Sequence, residues 1–319
     1  MTERPAAAVL GLNLVGASLA LALHESDRFS AIRGWDPDFD TARAARRRKV
    51  AGQFTRRPQD AVQGAAIVFV DVPPGQLRDL LTAIGPHLRP GAVLCTLAHP
   101  HEAVANLAPE VLPRNVSCIA GHVVLWEKVG PQTVPAAGIF RLAVFALSPL
   151  PEAHPDAIAY LADLAGVLSM EPYFVGAREH DAFFAGIARL PAVLAAALLR
   201  VATGDPSWRE LSRLAGAAFR HGTALSEWEP ARQQEAMVAD RDHTVRWLDA
   251  MVAELSRLRD MTRDGQEPAD FFIGAADARL RWLRNRQMPV ESEMQVAVPA
   301  EPKRGSWMPF GSLGGNRQR

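Results

Sequence analysis

Apolar positions along this chain fall into two textures. Short unbroken runs read as buried strands, and runs spaced at i, i+3, i+4 and i+7 read as helices. Ala6–Leu10 is an unbroken run that meets Gly11, turns, and resumes as an apolar helix to about Glu25. Residues 31–36 read as a second strand ending in an acid, and residues 39–49 as a short helix with a basic end. Residues 65–70 are continuously apolar, as suits a parallel strand covered on both faces, and they run into the loop Asp71-Val72-Pro73-Pro74. Residues 76–88 carry Leu77, Leu80, Leu81 and Ile84 at helical spacing; residues 91–96 are the next strand and 100–107 the next helix. Residues 116–120 form a strand leading to Gly121-His122, and residues 142–147 add another. This alternation predicts a doubly wound parallel sheet over residues 1–150, with ligands bound beyond the carboxyl ends of its strands.

From Pro151 the texture becomes helical. Residues 153–168 read as a helix, 172–175 as a short strand, and 182–203 as one long apolar helix interrupted near Pro191. Helices over 207–220, 229–263 and 268–286 follow. In the second of these, Trp247, Leu248, Met251, Val252, Leu255 and Leu258 form an apolar stripe. Helices this apolar need partners, so residues 151–287 are expected to form an all-helical domain that makes a homodimer. Residues 288–319 are rich in Pro, Gly, Ser and charge and read as a disordered tail; Trp307-Met308-Pro309-Phe310 within it reads as a remnant rather than a docking motif.

The chemistry starts at the first turn. Gly11-Leu12-Asn13-Leu14-Val15-Gly16 has the layout of a dinucleotide-binding βα turn. One glycine makes the tight turn, a later one lets helix and strand pack closely, and the helix N-terminus offers amides to a pyrophosphate. The central glycine is replaced by Asn13, which tolerates a left-handed backbone but whose side chain would crowd the phosphate or bond to it. Asp36 stands some 20–25 residues on, where a carboxylate binds the ribose of NAD. Gly11, Asn13, Leu14, Val15, Gly16, Asp36, Val72 and Pro73 are therefore the candidate cofactor residues, in a Rossmann-type fold. Asp36 favours NAD over NADP, because it would repel a 2′-phosphate. The run Arg46-Arg47-Arg48-Lys49 keeps NADP open, although cations at a helix C-terminus also explain it.

Composition narrows the rest. The chain has 319 residues, enough for two domains and a tail. Its 35 basic and 35 acidic residues leave no net charge, which argues against a nucleic-acid partner. Cys95 and Cys118 have neither metal nor disulfide spacing, which fits a reducing cytoplasm. Arg4 and the apolar run to Leu23 imitate a signal peptide, but Gly11, Asn13 and Gly16 interrupt the run. No later stretch reads as long and apolar enough to span a membrane. His99, His101 and His122 lack a carboxylate or cysteine to complete a metal set, so no metal is expected. His180-Asp181 reads as a helix cap.

Dispersed motifs then add a resemblance over roughly residues 6–286. The nucleotide turn, Gly34-Trp35-Asp36, Val72-Pro73-Pro74, Gly121-His122 with Glu127-Lys128, and Ala218–Ala224 with Trp228 occur in the order seen in the prephenate dehydrogenase family. The resemblance implies NAD(P)-dependent oxidative decarboxylation in tyrosine biosynthesis, a small anionic substrate, and His122 as the catalytic base. A histidine suits that task because its ordinary pKa of about 6.5 lies near operating pH.

The sequence also departs from the family where function sits. His99 stands where a serine is usual. Ala188-Arg189-Leu190-Pro191-Ala192 replaces a Ser-His-Leu-Pro-His run, and Ala224 stands where an arginine holds a substrate carboxylate. Arg189 and Arg220 are the candidate replacements for that cation, and His99 is a further candidate substrate contact. Three readings stay open: a prephenate or arogenate dehydrogenase with altered substrate contacts, a non-catalytic dinucleotide-binding dimer with a regulatory or scaffolding role, and a dehydrogenase for another anionic hydroxy compound.

Overall fold

A computed structural model of the chain describes residues 4–97, 100–126, 133–227 and 230–287. His99, Glu127, Lys128, Trp228 and the expected tail over 288–319 lie outside the described residues. Contacts divide the chain into a unit running to Thr244 and a second unit beginning at Val245.

The first unit opens with β1 (Ala6–Leu10), α1 (Leu14–Glu25), β2 (Ala31–Trp35), α2 (Phe39–Arg47), β3 (Gln53–Phe54), α3 (Pro58–Val62), β4 (Ala65–Val70) and α4 (Pro74–Ile84). It continues with β5 (Val93–Thr96), α5 (His101–Val111), β6 (Ser117–Val124), β7 (Ala143–Pro149), α6 (Pro155–Val167) and β8 (Met170–Phe174). The strands form one sheet in the order β3-β2-β1-β4-β5-β6-β7-β8. Strand β4 is buried at every residue, and its alternation divides the core. Ile67 and Phe69 pack on one face; Val68 and Val70 pack on the other. The order reverses between β1 and β4, which makes their carboxyl ends the switch point where ligands bind.

Two expectations change here. The sheet is not wholly parallel, because β7 runs antiparallel to β6. Among the described residues of their connection only a 3₁₀ turn, Ala137–Phe140, intervenes, and no crossover helix returns the chain to a parallel start. The sheet also continues past residue 150: β8 pairs parallel with β7, and Leu161, Leu164 and Ala165 of α6 join the core beside Met170.

Helical structure follows in α7 (Ala177–Phe184), a π turn (Ala185–Arg189), α8 (Leu190–Thr203), α9 (Trp208–Leu214), α10 (Ala217–Thr223) and α11 (Pro230–Ala239). The helix α12 (Arg241–Arg263) starts in this unit and enters the second, which also contains α13 (Ala269–Gln287). The helix expected over 229–263 is thus two helices meeting at Asp240, a buried residue whose carboxylate is needed elsewhere.

The interruption near Pro191 is also resolved. Ala177–Thr203 is one continuous helical run of 27 residues, and an 18-residue stretch of it has mean hydropathy 2.0, long and apolar enough by composition to cross a membrane, contrary to the sequence expectation. The π turn just before Pro191 is why it stays continuous: widening the backbone there makes room for a ring that would clash in a regular α-helix. Against a lipid setting, the run carries His180, Asp181 and Arg189, all buried within this unit.

Candidate active site

The first βα turn is shaped by close approach. Gly11 has φ +94°, and a Cβ there would lie 2.0 Å from the Asp71 carbonyl oxygen. A Cβ on Gly16 would lie 2.0 Å from the Gly11 carbonyl oxygen. Only glycine permits both contacts, so β1, α1 and the end of β4 are locked together at the switch point.

Asn13 stands at the head of α1. Its backbone is extended, with φ −64° and ψ −167°, rather than left-handed. Its side chain caps α1: Oδ1 accepts from the Val15 and Gly16 amides at 3.0 and 3.1 Å, and Nδ2 donates to the Asp71 carbonyl at 3.4 Å. Two amides that the pattern reserves for phosphate are therefore engaged by the protein.

Asp36 sits immediately after β2. One carboxylate oxygen accepts from the Leu12 amide at 2.5 Å and the other from the Asp38 amide at 2.8 Å. Burial raises its pKa, partly offset by these two bonds. A pocket of about 320 Å³ adjoins these ends, lined by Trp35, Pro58, Val72, Gly75, Gln76 and Leu80. Pro73 is the residue before α4, and Pro74 opens that helix without needing an amide partner. The turn, the acid and the pocket fit a dinucleotide; only the side-chain cap on α1 competes with it.

A second cluster lies farther along the sheet. β6 runs past its last pairing with β5, Thr96 with Ala120, and so carries His122 beyond the carboxyl edge. Gly121 makes the approach possible, since a Cβ there would sit 2.7 Å from the Phe145 ring and 2.9 Å from Cys95 Sγ.

His122 Nδ1 lies 3.0 Å from His180 Nε2, and His180 Nδ1 lies 2.9 Å from Asp181 Oδ1. Asp181 also accepts from the His101 amide through Oδ1 and the Glu102 amide through Oδ2, both at 2.8 Å. Burial would raise the Asp181 pKa, but these bonds outweigh it and hold the carboxyl below its ordinary range. An ionised Asp181 fixes the direction of the chain. His180 donates through Nδ1–H, its Nε2 accepts from His122 Nδ1–H, and the basic lone pair of His122 is placed on Nε2.

Burial, then His180 and His101, push the His122 pKa well below its ordinary value, so the ring is neutral at physiological pH. His101 stacks on His180 at 3.6 Å and contacts Ser148 Oγ through Nδ1 at 2.8 Å. Phe184 meets His122 edge-on at 4.4 Å. The expectation that His180-Asp181 is a cap was half the story. Asp181 does cap a helix, but that helix is α5, and the same carboxylate orients the histidine behind His122. An adjacent His-Asp pair opening an apolar helix was the available signal. Ser148 and His101 gave none.

Of the proposed cations, Arg189 ends the π turn and is buried, with Nη1 donating to Asp240 Oδ2 at 2.6 Å and Thr244 Oγ1 at 3.0 Å. Arg220 is exposed on α10.

Residues 19–168 match the family described as prephenate dehydrogenase, nucleotide-binding domain, and residues 176–273 match prephenate dehydrogenase, dimerization domain. The chain is 26% identical over 277 residues to the cyclohexadienyl dehydrogenase of Zymomonas mobilis, covering 86% of this chain and 94% of that one. It is 24% identical over 300 residues to the prephenate dehydrogenase of Bacillus subtilis, covering 92% and 80%. In fold it is similar to the Synechocystis arogenate dehydrogenase, with TM-score 0.71, 22% identity, and 87% and 99% of the chains covered. A prephenate dehydrogenase of Aquifex aeolicus, solved with hydroxyphenyl propionate and NAD+, gives TM-score 0.76 at 16% identity over 88% and 98%.

Proposed function

The chain belongs to the prephenate dehydrogenase family, and from that premise we propose that it oxidises and decarboxylates a small anionic cyclohexadienyl substrate with NAD as acceptor. The observation that carries this reading is the chain from Asp181 through His180 to His122. A half-buried neutral imidazole, oriented through a second imidazole by a carboxylate, is an arrangement for accepting a proton at one chosen atom.

The residues then divide the work. Gly11, Gly16, Asp36, Val72 and Pro73 would hold the dinucleotide, with Leu14 and Val15 at the head of α1. When bound, the nicotinamide supplies the hydride acceptor. His122 Nε2 takes the proton of the ring hydroxyl as the carbinol C–H bond breaks. The positive charge that develops on His122 is met by His180 and, behind it, by the Asp181 carboxylate. Loss of carbon dioxide then leaves the electron pair of the broken C–C bond in the ring, which becomes aromatic. Asp36 favours NAD over NADP by charge.

The helical region completes the proposal as a homodimer. Ile187, Val201 and Leu214 are 70%, 77% and 85% exposed, which is apolar surface in need of a cover, and the matched family domain is a dimerization domain. Free, buried Cys95 and Cys118 suit the cytoplasmic setting expected from sequence.

The test is NADH formation with prephenate and, separately, arogenate at high NAD, for wild type and His122→Ala. We expect turnover to vanish in the variant while NAD affinity is kept. Undiminished turnover would remove His122 as the base. Asn13 engaging two phosphate-facing amides and Ala224 lacking a cation favour the second reading, a non-catalytic nucleotide-binding dimer. NAD binding without turnover on either substrate would select it.

A further inference from the structure

Arg189 is 2% exposed, and among the described residues only one of its three guanidinium nitrogens finds a partner. Nη1 is held by Asp240 and Thr244, while Nε and Nη2 are buried without a hydrogen-bond partner. The two unmet nitrogens form one edge of the guanidinium plane. Elsewhere in this chain that same edge grips a carboxylate with two bonds: Arg57 on Asp60 at 3.2 and 3.0 Å, Arg257 on Glu254 at 3.0 and 2.7 Å, and Arg259 on Asp260 at 2.9 and 3.2 Å. Burying such an edge unmet is costly, and native chains seldom do so without a reason.

The position of Arg189 supplies one. One α turn separates His180 from Phe184, and one π turn separates Phe184 from Arg189, which carries the three near to one face of the helical run. Phe184 packs against the His122 ring. Asp240 is anchored by His243 Nδ1 at 2.7 Å as well as by Arg189, so the guanidinium is fixed in orientation from behind.

We propose that the Nε/Nη2 edge of Arg189 is a carboxylate-binding subsite, gripping one carboxylate of the substrate in two parallel bonds and replacing the cation that Ala224 lacks. This rests on the dehydrogenase reading for the identity of the substrate, but not for the existence of the subsite.

The test is calorimetric titration of 3-(4-hydroxyphenyl)propionate and its neutral amide into the full-length protein with NAD present. Wild type should bind the carboxylate at least tenfold more tightly than the amide. Arg189→Lys keeps the charge facing Asp240 but has no two-donor edge. It should weaken carboxylate binding by about 10- to 100-fold, the worth of a charge-assisted contact, and leave the amide unchanged. If Arg189→Lys does not fold, the paired replacement Arg189→Met with Asp240→Leu removes the ion pair as a unit and carries the same comparison. Equal affinity for carboxylate and amide, no binding of the carboxylate, or affinity untouched by the substitution overturns the proposal. NADH formation measured in parallel keeps the two ideas apart. Turnover without dependence on Arg189 sinks the subsite alone, and Arg189-dependent binding without turnover sinks the dehydrogenase reading alone.

Discussion

His101 shows how a single buried side chain can set the behaviour of a site. It is fully buried, and burial, followed by the nearby His180, pushes its pKa down to about 3. The folded protein therefore holds it neutral, while the unfolded chain protonates it near 6.5. Its contribution to stability is present above pH 6.5 and lost as pH falls from 6.5 toward 3, in total on the order of 4 kcal/mol. Urea midpoints for wild type and His101→Asn at pH 7.5 and 4.5 should converge at the lower pH; parallel profiles would show that His101 is not responsible. The depressed pKa of His122 has the corresponding consequence for activity. On the proposed assignment of His122 as the base, a ring held neutral can still accept a proton in mild acid, so the rising limb of kcat/KM should be centred below 6.5. His180→Asn should lower kcat by on the order of 10²-fold while leaving NAD affinity intact, because it unlinks His122 from Asp181. At the first turn, Asn13→Gly should release the Val15 and Gly16 amides and tighten NAD binding by about 2- to 10-fold, the worth of one neutral hydrogen bond. Unchanged or weaker affinity would mean that the phosphate never used those amides.

At the scale of elements, β6 depends on Gly121. A Cβ there meets the buried Phe145 ring and Cys95 Sγ well inside contact distance, and neither can move without opening the core. Gly121→Ala should cost about 1–3 kcal/mol of stability. It should also lower turnover at temperatures where the protein remains folded, since His122 is the next residue on the strand. Thermal melts beside NADH assays separate these two effects. The π turn is the other element that decides something. By widening the helix before Pro191 it keeps Ala177–Thr203 continuous and swings Arg189 toward the side on which His180 and Phe184 lie.

For the whole molecule the open question is what covers the apolar helices. Ile187, Val201 and Leu214 are exposed in the first unit, as are Phe272, Ile273 and Trp282 in the second. Sedimentation should give twice the chain mass of 34.6 kDa, and Val201→Glu with Ile187→Glu should shift the protein toward the monomer. A monomer at micromolar concentration in the wild type would refute the dimer.

What the sequence determined by itself was local. Unbroken apolar runs specified β1, β4 and β5, because strands covered on both faces need no polar residue, and the spacing of Leu77, Leu80, Leu81 and Ile84 specified α4. Gly11 and Gly16 announced a close turn because no other residue fits there. Asp36 could be placed at a strand end for the same reason, because it follows directly from a run whose end is visible; Gly121-His122, read as following a strand that ends at residue 120, lie inside β6, which runs on to Val124. The tertiary structure alone decided whatever depends on partners distant in the chain. β7 reads as a strand, but only its pairing shows it antiparallel to β6. Asn13 reads as a side chain that crowds the phosphate or bonds to it, and its contacts make it a helix cap. His180-Asp181 lies 58 residues from His122, and the sequence shows neither their hydrogen bond nor the helix that Asp181 caps. Arg189 reads as a free cation, yet Asp240, 51 residues away, takes one end of it and leaves the other end buried and unmet. Periodicity records which face of an element avoids water; it carries no record of which buried polar group will meet which, and in this chain that meeting makes the site.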